Sequence, residues 1–296
     1  MAKTKSDGRS AIDWLTDRVM RIVIGGMLML PYERRVPAMG WFVRSILAPV
    51  VGYNRRSLAN LAYIYPDMPM AERRRIMKAV ADNIGRTFIE NYSTDVQITR
   101  HKTRKFTGDG VDDLFRAKAE GRPVILVTGH YGNYEVPRAA LISQGFDVGG
   151  LYRPASNAYF EEHYSKTMTV YGSPVFAQGN RGTAGFVRHL KSGGMAVLLF
   201  DRHVSEGTVL PFIGKPAKTA LSAAQMALKY DALLIPFWGI RRANGIDFDI
   251  VFDAPVPHTD AETMTLKLNE ILERRIHDDP GQWLWVHRRW KVNKTK

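Results

Sequence analysis

The sequence contains no cysteine among its 296 residues. Disulfide bonds, thiolate metal sites and a cysteine nucleophile are therefore excluded, and any acyl or phosphoryl chemistry must use oxygen or nitrogen. The Gly-x-Ser-x-Gly turn that presents a serine nucleophile is also missing. A covalent acyl intermediate on a serine elbow is not expected, and neither a metal site nor a cofactor is predicted.

Long apolar runs are scarce. The start, MAKTKSDGRSAIDW, lacks the apolar core and small-residue cleavage site of a secretory signal. Residues 19–31 and 41–53 are apolar but shorter than the roughly 20 residues of a spanning helix. Flanking arginines and aromatic residues favour helices in the interface of an anionic membrane, and a helical hairpin packed on the protein's own core is the alternative. We predict a membrane-associated helical segment over 1–55, peripheral or single-pass.

Negative charge is in short supply, with 29 Asp and Glu against 42 Lys and Arg and a net charge of +13. Such a chain attracts anionic partners, which include nucleic acids, anionic lipids and acidic proteins. A nucleic-acid-binding protein is a remote alternative because the helix-turn-helix, zinc and RNP-like patterns are missing. The segment FIGKPA lacks the spacing of a nucleotide-binding P-loop. No nucleic-acid partner is predicted.

From residue 56 onward, short apolar runs alternate with stretches of helical periodicity. Two helices separated by the PDMP break come first, and the runs VILVT, VGGLY, MAVLLF, ALLIPFW and FDIVF follow, most of them next to a helical stretch. This alternation predicts an α/β domain over 56–296, built on a mixed, largely parallel sheet flanked by helices.

Polar groups follow three of these runs where a strand should end. His130 and Glu135 follow VILVT, Arg153 follows VGGLY, and Asp201 with Arg202 follows MAVLLF. Ligands of open α/β sheets gather at the carboxyl ends of the strands. We therefore expect these side chains to surround one crevice, with an ion pair between Arg153 and Asp201 and an apolar channel leading toward the N-terminal helices.

The spacing of His130 and Glu135 in the segment GHYGNYE at 129–135 fits either acid–base chemistry or a capped turn at the end of a strand. A carboxylate close to an imidazole fixes its tautomer and stabilises the imidazolium that forms when the ring takes a proton. His130 and Glu135 are therefore predicted as a general-base pair that activates a substrate hydroxyl. Gly129 and Gly132 should let the backbone approach the substrate, and backbone N–H groups near the helix start should stabilise an oxyanion.

GHYGNYE after a buried strand resembles the motif of the bacterial lipid A biosynthesis acyltransferases, the late lauroyl and myristoyl transferases related to the glycerolipid acyltransferases. The segments NLAYIYPDMPMAER, LYRPASN, VLPFIGKPA and WLWVHRRWK resemble further family segments in the same order. The resemblance implies a glycerolipid-acyltransferase-like fold. Two interpretations of WLWVHRRWK remain: it is a core element with an exposed basic end, or it contacts the substrate.

The resemblance implies transfer of a fatty acyl chain from acyl carrier protein to a hydroxyl of a lipid A precursor at the cytoplasmic face of the inner membrane. The anionic membrane, the phosphorylated acceptor and acyl carrier protein would all attract a basic chain. His130 and Glu135 match the catalytic pair, and Arg153, Asp201, Asn133 and Gly132 are predicted substrate-binding residues.

One departure is that Asp201-Arg202-His203 stands where the family usually has Asp-Gln-Asp. The role of the third position is therefore in doubt. The alternative is a related acyltransferase that acts on glycerol phosphate, a mannoside or an aminolipid, with coenzyme A as a possible donor.

Overall fold

The computed structural model describes residues 9–291. A seven-stranded sheet has the strand order β1-β9-β8-β2-β5-β3-β4, and β6 and β7 form a separate hairpin. The strands are β1 (Phe106–Thr107), β2 (Val124–Thr128), β3 (Val148–Tyr152), β4 (Val175–Ala177), β5 (Met195–Leu199), β6 (Thr208–Phe212), β7 (Lys215–Thr219), β8 (Leu233–Arg241) and β9 (Phe248–Phe252). The helices are α1 (Ala11–Leu28), α2 (Tyr32–Phe42), α3 (Ala48–Val50), α4 (Tyr53–Ile64), α5 (Met70–Asn91), α6 (Thr94–His101), α7 (Val111–Glu120), α8 (Glu135–Ser143), α9 (Ala158–Tyr171), α10 (Asn180–Lys191), α11 (Ser222–Tyr230) and α12 (Ala261–Asp278).

The central strands are parallel and buried on both faces. In β2, Ile125 and Val127 pack into the core that contains α10, α11 and α12, whereas Val124 and Leu126 pack into the core that contains α7 and α8. Side chains alternate across a strand, so the VILVT run serves two helical layers at once. The predicted mixed, largely parallel sheet flanked by helices is confirmed.

Strand β5 lies between β2 and β3, and all three run parallel. The register pairs Thr128 at the end of β2 with Leu199 at the end of β5. The loops that follow β2, β3 and β5 therefore open on one side of the sheet, as the sequence predicted. Strand β9 runs antiparallel to β8, which accounts for the mixed character of the sheet.

The N-terminal residues form helices rather than one long span. Helix α1 begins with a capping box, because Asp13 N donates to Ser10 Oγ and Ser10 N donates to Asp13 Oδ2, each at 3.1 Å. Helix α2 continues into a π-helical segment, Val43–Leu47, before α3. The apolar run at 41–53 therefore contains the end of α2, this segment and α3.

One side of these helices packs on the rest of the protein. Val36, Met39 and Val43 are buried against Ala81 and Ile89 of α5. Residues 32–50 therefore pack on the protein's own core, as the alternative expectation has it, but as one continuous helix and not as a hairpin. The division between 1–55 and 56–296 stays a prediction.

A polar contact joins α1 to α9. Asp17, which is fully buried, accepts one hydrogen bond from Arg21, at 2.8 Å, and contacts His163 Nε2 at 3.0 Å. In the described chain, no single helix is long and apolar enough to cross a membrane, although the bent pair Tyr32–Val50 and Tyr53–Ile64 has the required length and composition.

Candidate active site

The loop after β2 presents His130 and is fixed by many hydrogen bonds. Gly132 has φ +57°, and a Cβ there would lie 2.0 Å from the Gly239 oxygen, so only glycine fits. Its N–H donates to Gln282 O, and its carbonyl accepts from Asn83 and Thr87. These contacts hold the loop in one position before α8 begins at Glu135.

Asp201 is the carboxylate that contacts His130. Nδ1 of His130 lies 2.7 Å from Asp201 Oδ1, and the His130 backbone N–H donates to Oδ2 at 2.7 Å. The indole N–H of Trp283 also donates to Oδ2, at 2.9 Å. Asp201 and Trp283 are both fully buried, whereas the His130 side chain keeps 16% of its surface exposed.

The protonation state of this pair follows from its contacts. Burial raises the pKa of Asp201, but the attraction and hydrogen bonds of His130 outweigh it and hold that pKa well below its usual value. An ionised carboxylate only accepts, so Nδ1 must carry the proton that it donates to Asp201. Nε2 of neutral His130 is then unprotonated and can accept a proton from a substrate.

Two aromatic rings enclose His130. The ring of His287 lies edge-on at a centroid distance of 4.7 Å, and the ring of Tyr134 lies edge-on at 5.6 Å. Burial, together with the nearby charge of His130, lowers the pKa of His287 to about 3. His287 is therefore uncharged near neutral pH and adds no positive charge beside His130.

Glu135, the predicted partner of His130, makes other contacts. Its carboxylate accepts from Arg138 at 3.4 Å, and its N–H donates to Asn133 Oδ1. Arg138 is buried and also donates to the carbonyls of Met168 and Gly172, so the Glu135 charge compensates a guanidinium that joins α8 to α9. Within residues 9–291, no hydrogen bond joins Glu135 to His130, and Asp201 makes the contact that was expected of Glu135.

Arg153 and Asn133, which were also predicted to bind substrate, lie in different environments. Arg153 is exposed just after β3. The expected ion pair between Arg153 and Asp201 is wrong, because both Asp201 oxygens are used by His130 and Trp283. Asn133 is fully buried and donates to Glu90 Oε2 at 2.9 Å, so it holds the loop from behind.

The glycines serve the packing of the protein itself. A Cβ at Gly129 would meet Leu272 at 2.9 Å and Asp201 at 3.1 Å. The N–H groups of residues 130–133 all have protein acceptors: Asp201 Oδ2 and the carbonyls of Gly129, Gln282 and Gly239. These four amides are therefore not free to stabilise an oxyanion, and the predicted contact of Gly132 with a substrate stays a prediction.

A buried ion pair behind the loop was missed by sequence reasoning. Arg241 forks onto Glu90 and also donates to Asn83 and Thr87, the residues that hold Gly132. Glu90 is fully buried. Glu90 lies in a segment of ordinary helical periodicity, so the local sequence does not indicate that its side chain is buried and paired. WLWVHRRWK, by contrast, was noted in the sequence, and it supplies both Trp283 and His287 to the site.

Two cavities of about 530 and 440 Å³ lie near the β1 edge of the sheet. Basic residues such as Arg104 and Lys105 line both, and His130 lines neither. The apolar channel expected from the sequence stays a prediction. Across residues 9–291, no group of three or more His, Asp or Glu side chains is arranged to hold a metal ion.

The chain as a whole is similar to the proteins of one enzyme family. The model of the bacterial lipid A biosynthesis acyltransferase family matches residues 2–292. The chain belongs to this family. It is 25% identical to the lipid A biosynthesis lauroyltransferase of Escherichia coli over 239 residues, which cover 79% of the chain and 77% of the relative.

Other members of the family match over a longer span. A lipid A biosynthesis acyltransferase of Haemophilus influenzae is 25% identical over 295 residues, or 94% of the chain and 90% of the relative. The E. coli lipid A biosynthesis myristoyltransferase is 20% identical over 280 residues, or 92% and 85%. The chain is thus an acyltransferase of lipid A biosynthesis, and the match to the family includes the N-terminal helices.

Proposed function

We propose that the chain transfers a fatty acyl group from acyl carrier protein to a hydroxyl of a lipid A precursor, with His130 as the general base. The observation that carries this proposal is the pairing of His130 Nδ1 with the ionised Asp201, which leaves Nε2 free to accept a proton. This assigns to Asp201 the orienting role first predicted for Glu135.

The proposed reaction is a direct displacement. The acceptor hydroxyl attacks the thioester carbonyl while Nε2 of His130 takes its proton, and Asp201 stabilises the imidazolium that results. A C–O bond forms, the C–S bond breaks, and the proton passes from Nε2 to the departing thiolate. Because the amides of residues 130–133 are occupied, we assign oxyanion contact to the exposed guanidinium of Arg153.

In this mechanism, Glu135 supports the site indirectly. Its ion pair with Arg138 fixes the start of α8 next to the His130 loop. Asn133 and Gly132 position the same loop through Glu90 and Gln282. These residues affect turnover by holding His130, so their replacement should cost less activity than loss of Asp201.

The N-terminal helices are proposed to lie on the cytoplasmic face of the anionic inner membrane. Ile12, Leu15, Val19 and Ile22 are 77%, 58%, 53% and 74% exposed and follow one another at helical spacing on α1. An exposed apolar stripe of this kind buries well in a lipid interface, and the net charge of +13 favours anionic lipid. The acceptor would be reached at that surface.

Donor and acceptor can be tested in one assay. Purified protein is incubated with radiolabelled acyl groups on acyl carrier protein or coenzyme A, and with either a lipid A precursor or a glycerol phosphate lipid. We expect label to move from acyl carrier protein to the lipid A precursor. Label that reached only the glycerol phosphate lipid, or came only from coenzyme A, would contradict the proposed pair of substrates.

A further inference from the structure

A group of cations beside the site has no carboxylate partner. Arg202 follows Asp201 directly, Lys218 lies on β7, and Arg289 and Lys291 end the described chain. Within residues 9–291, no Asp or Glu oxygen lies within 4.0 Å of any of these side chains. Many other cations are paired, as Arg275 is with Asp253 at 2.6 Å, so the lack of carboxylates here is a local property.

Three segments meet to form this group. Lys218 Nζ donates to Ser205 O at 2.9 Å, which joins β7 to the loop after Asp201. Arg289 donates to Lys218 O and to Thr219 Oγ1, each at 2.6 Å, which joins the C-terminal segment to the same strand. The indole of Trp290 donates to Phe212 O on β6. The side chains of Lys218 and Arg289 are therefore fixed by the fold, and Arg202 and Lys291 are exposed on the segments that these contacts hold together.

The four cations outnumber the acids around them: Asp201 acts on Arg289 from a distance, but it forms no ion pair within 4.0 Å with any of them. Arg289 is fully buried, and burial lowers its pKa to about 10, so it stays charged near neutral pH. Burial and the charges of Lys291, Arg289 and Lys218 lower the pKa of His203, which carries no positive charge near neutral pH. Like charges held together repel one another, and a bound anion removes that cost.

The group adjoins the reacting residues. Asp201 contacts His130, and Arg202 is its neighbour in sequence. The charge of Arg202 also acts on His287 and Tyr134, the rings that enclose His130. An anion bound here would therefore belong to a molecule whose other end lies at Nε2 of His130.

We propose that Arg202, Lys218 and Lys291, with the buried charge of Arg289 beneath them, bind a phosphate ester of a substrate. A phosphate ester offers several charged acceptor oxygens, which suit a cluster of Arg and Lys donors. This inference rests on the proposed acyl transfer and places one group of the substrate. The phosphate comes either from the headgroup of the acceptor or from the phosphopantetheine arm of acyl carrier protein.

The test measures binding without turnover. The double variant Arg202→Gln, Lys218→Gln removes two accessible cations. The matched control Lys191→Gln, Lys229→Gln removes two from the ends of α10 and α11, near the edge at which strands β5 and β8 begin and not the edge that carries the site. The probes are a phosphorylated glucosamine disaccharide lipid in micelles, the same lipid after phosphatase treatment, and acyl carrier protein with and without phosphopantetheine. Thermal unfolding of each variant reports whether it is folded.

We expect the double variant to bind the phosphorylated lipid about tenfold or more weakly, since hydrogen bonds to charged groups are lost, and to bind the dephosphorylated lipid as the wild type does. An equal loss confined to phosphopantetheine-bearing acyl carrier protein would support the site and identify the donor as its source. Unchanged binding of every probe, or equal weakening with and without phosphate, would overturn the inference. A wild type that binds phosphate without transferring acyl groups would contradict only the proposed function.

Discussion

Replacing Asp201 by Asn should switch the tautomer of His130. The amide has one acceptor oxygen and one NH₂ donor in place of two acceptors. With its oxygen at the position of Oδ2, it still accepts from the His130 N–H and the Trp283 indole. Its NH₂ group then faces Nδ1 of His130, which must become an acceptor, and the ring proton moves to Nε2. The opposite orientation would place NH₂ against two donors, which is costlier.

A ring protonated at Nε2 cannot take the proton of the acceptor hydroxyl. Loss of general-base catalysis typically costs about 10²- to 10⁴-fold in rate, which corresponds to about 3 to 5 kcal/mol in the activation barrier. We therefore expect kcat of Asp201→Asn to fall by about that factor. The KM for the acceptor should change little, because Asp201 is fully buried and its oxygens contact protein groups.

The assay compares initial rates of acyl transfer for three folded variants. Trp283→Phe removes one donor to Asp201 but keeps its charge and the Nδ1 proton of His130, so its kcat should fall much less than that of Asp201→Asn. Glu135→Gln should also retain more activity than Asp201→Asn. If Asp201→Asn kept wild-type turnover while Glu135→Gln lost more than 10²-fold, Glu135 would be the functional partner and our assignment would be refuted.

Three other predictions concern the membrane, pH and salt. The double variant Leu15→Glu, Ile22→Glu should sediment less with anionic vesicles than the wild type does, at an unchanged melting temperature. The control Val170→Glu, at an exposed site on α9, should sediment as the wild type does. Unchanged sedimentation of the double variant would contradict binding of the membrane by the apolar side of α1. Burial lowers the pKa of His101 to about 4, so between pH 6.5 and 4 the unfolded chain takes up a proton that the folded chain does not, and the free energy of unfolding falls by about 1.4 kcal/mol per pH unit. Between pH 7 and pH 5, the free energy of unfolding of His101→Leu, measured in urea, should therefore fall by about 2 kcal/mol less than that of the wild type. Equal falls in the two proteins would exclude this role of the imidazole. Binding of acyl carrier protein should weaken as salt rises, because exposed charges are screened beyond about 8 Å at physiological ionic strength, and constant affinity would remove the electrostatic contribution.

The sequence could place His130 and Asp201 at one edge of the sheet because each follows a buried apolar run. It could not say which carboxylate contacts His130. Glu135 is close along the chain, but the contact with Asp201 depends on the register that pairs Thr128 with Leu199, and this pairing is non-local. Trp283 reaches the same carboxylate from the far end of the chain, so no local spacing predicts it.

Sequence reasoning missed two elements that contain residues which usually disfavour their secondary structure. Helix α10 contains Gly182 and Gly185, which weaken a helical pattern but are required here, because a Cβ at Gly182 would lie 1.7 Å from the Ala177 oxygen. The β6–β7 hairpin pairs Pro211 with Pro216, and proline usually argues against a strand. A two-stranded ribbon outside the main sheet tolerates the missing donors.

The central claim is that His130 is the base that activates the acceptor hydroxyl. Its most direct test is the single-turnover rate of acyl transfer from acyl carrier protein to a lipid A precursor by His130→Ala, with its melting temperature measured beside that of the wild type. We predict a loss of at least about 10²-fold in a folded variant. Near wild-type turnover by folded His130→Ala would contradict the mechanism.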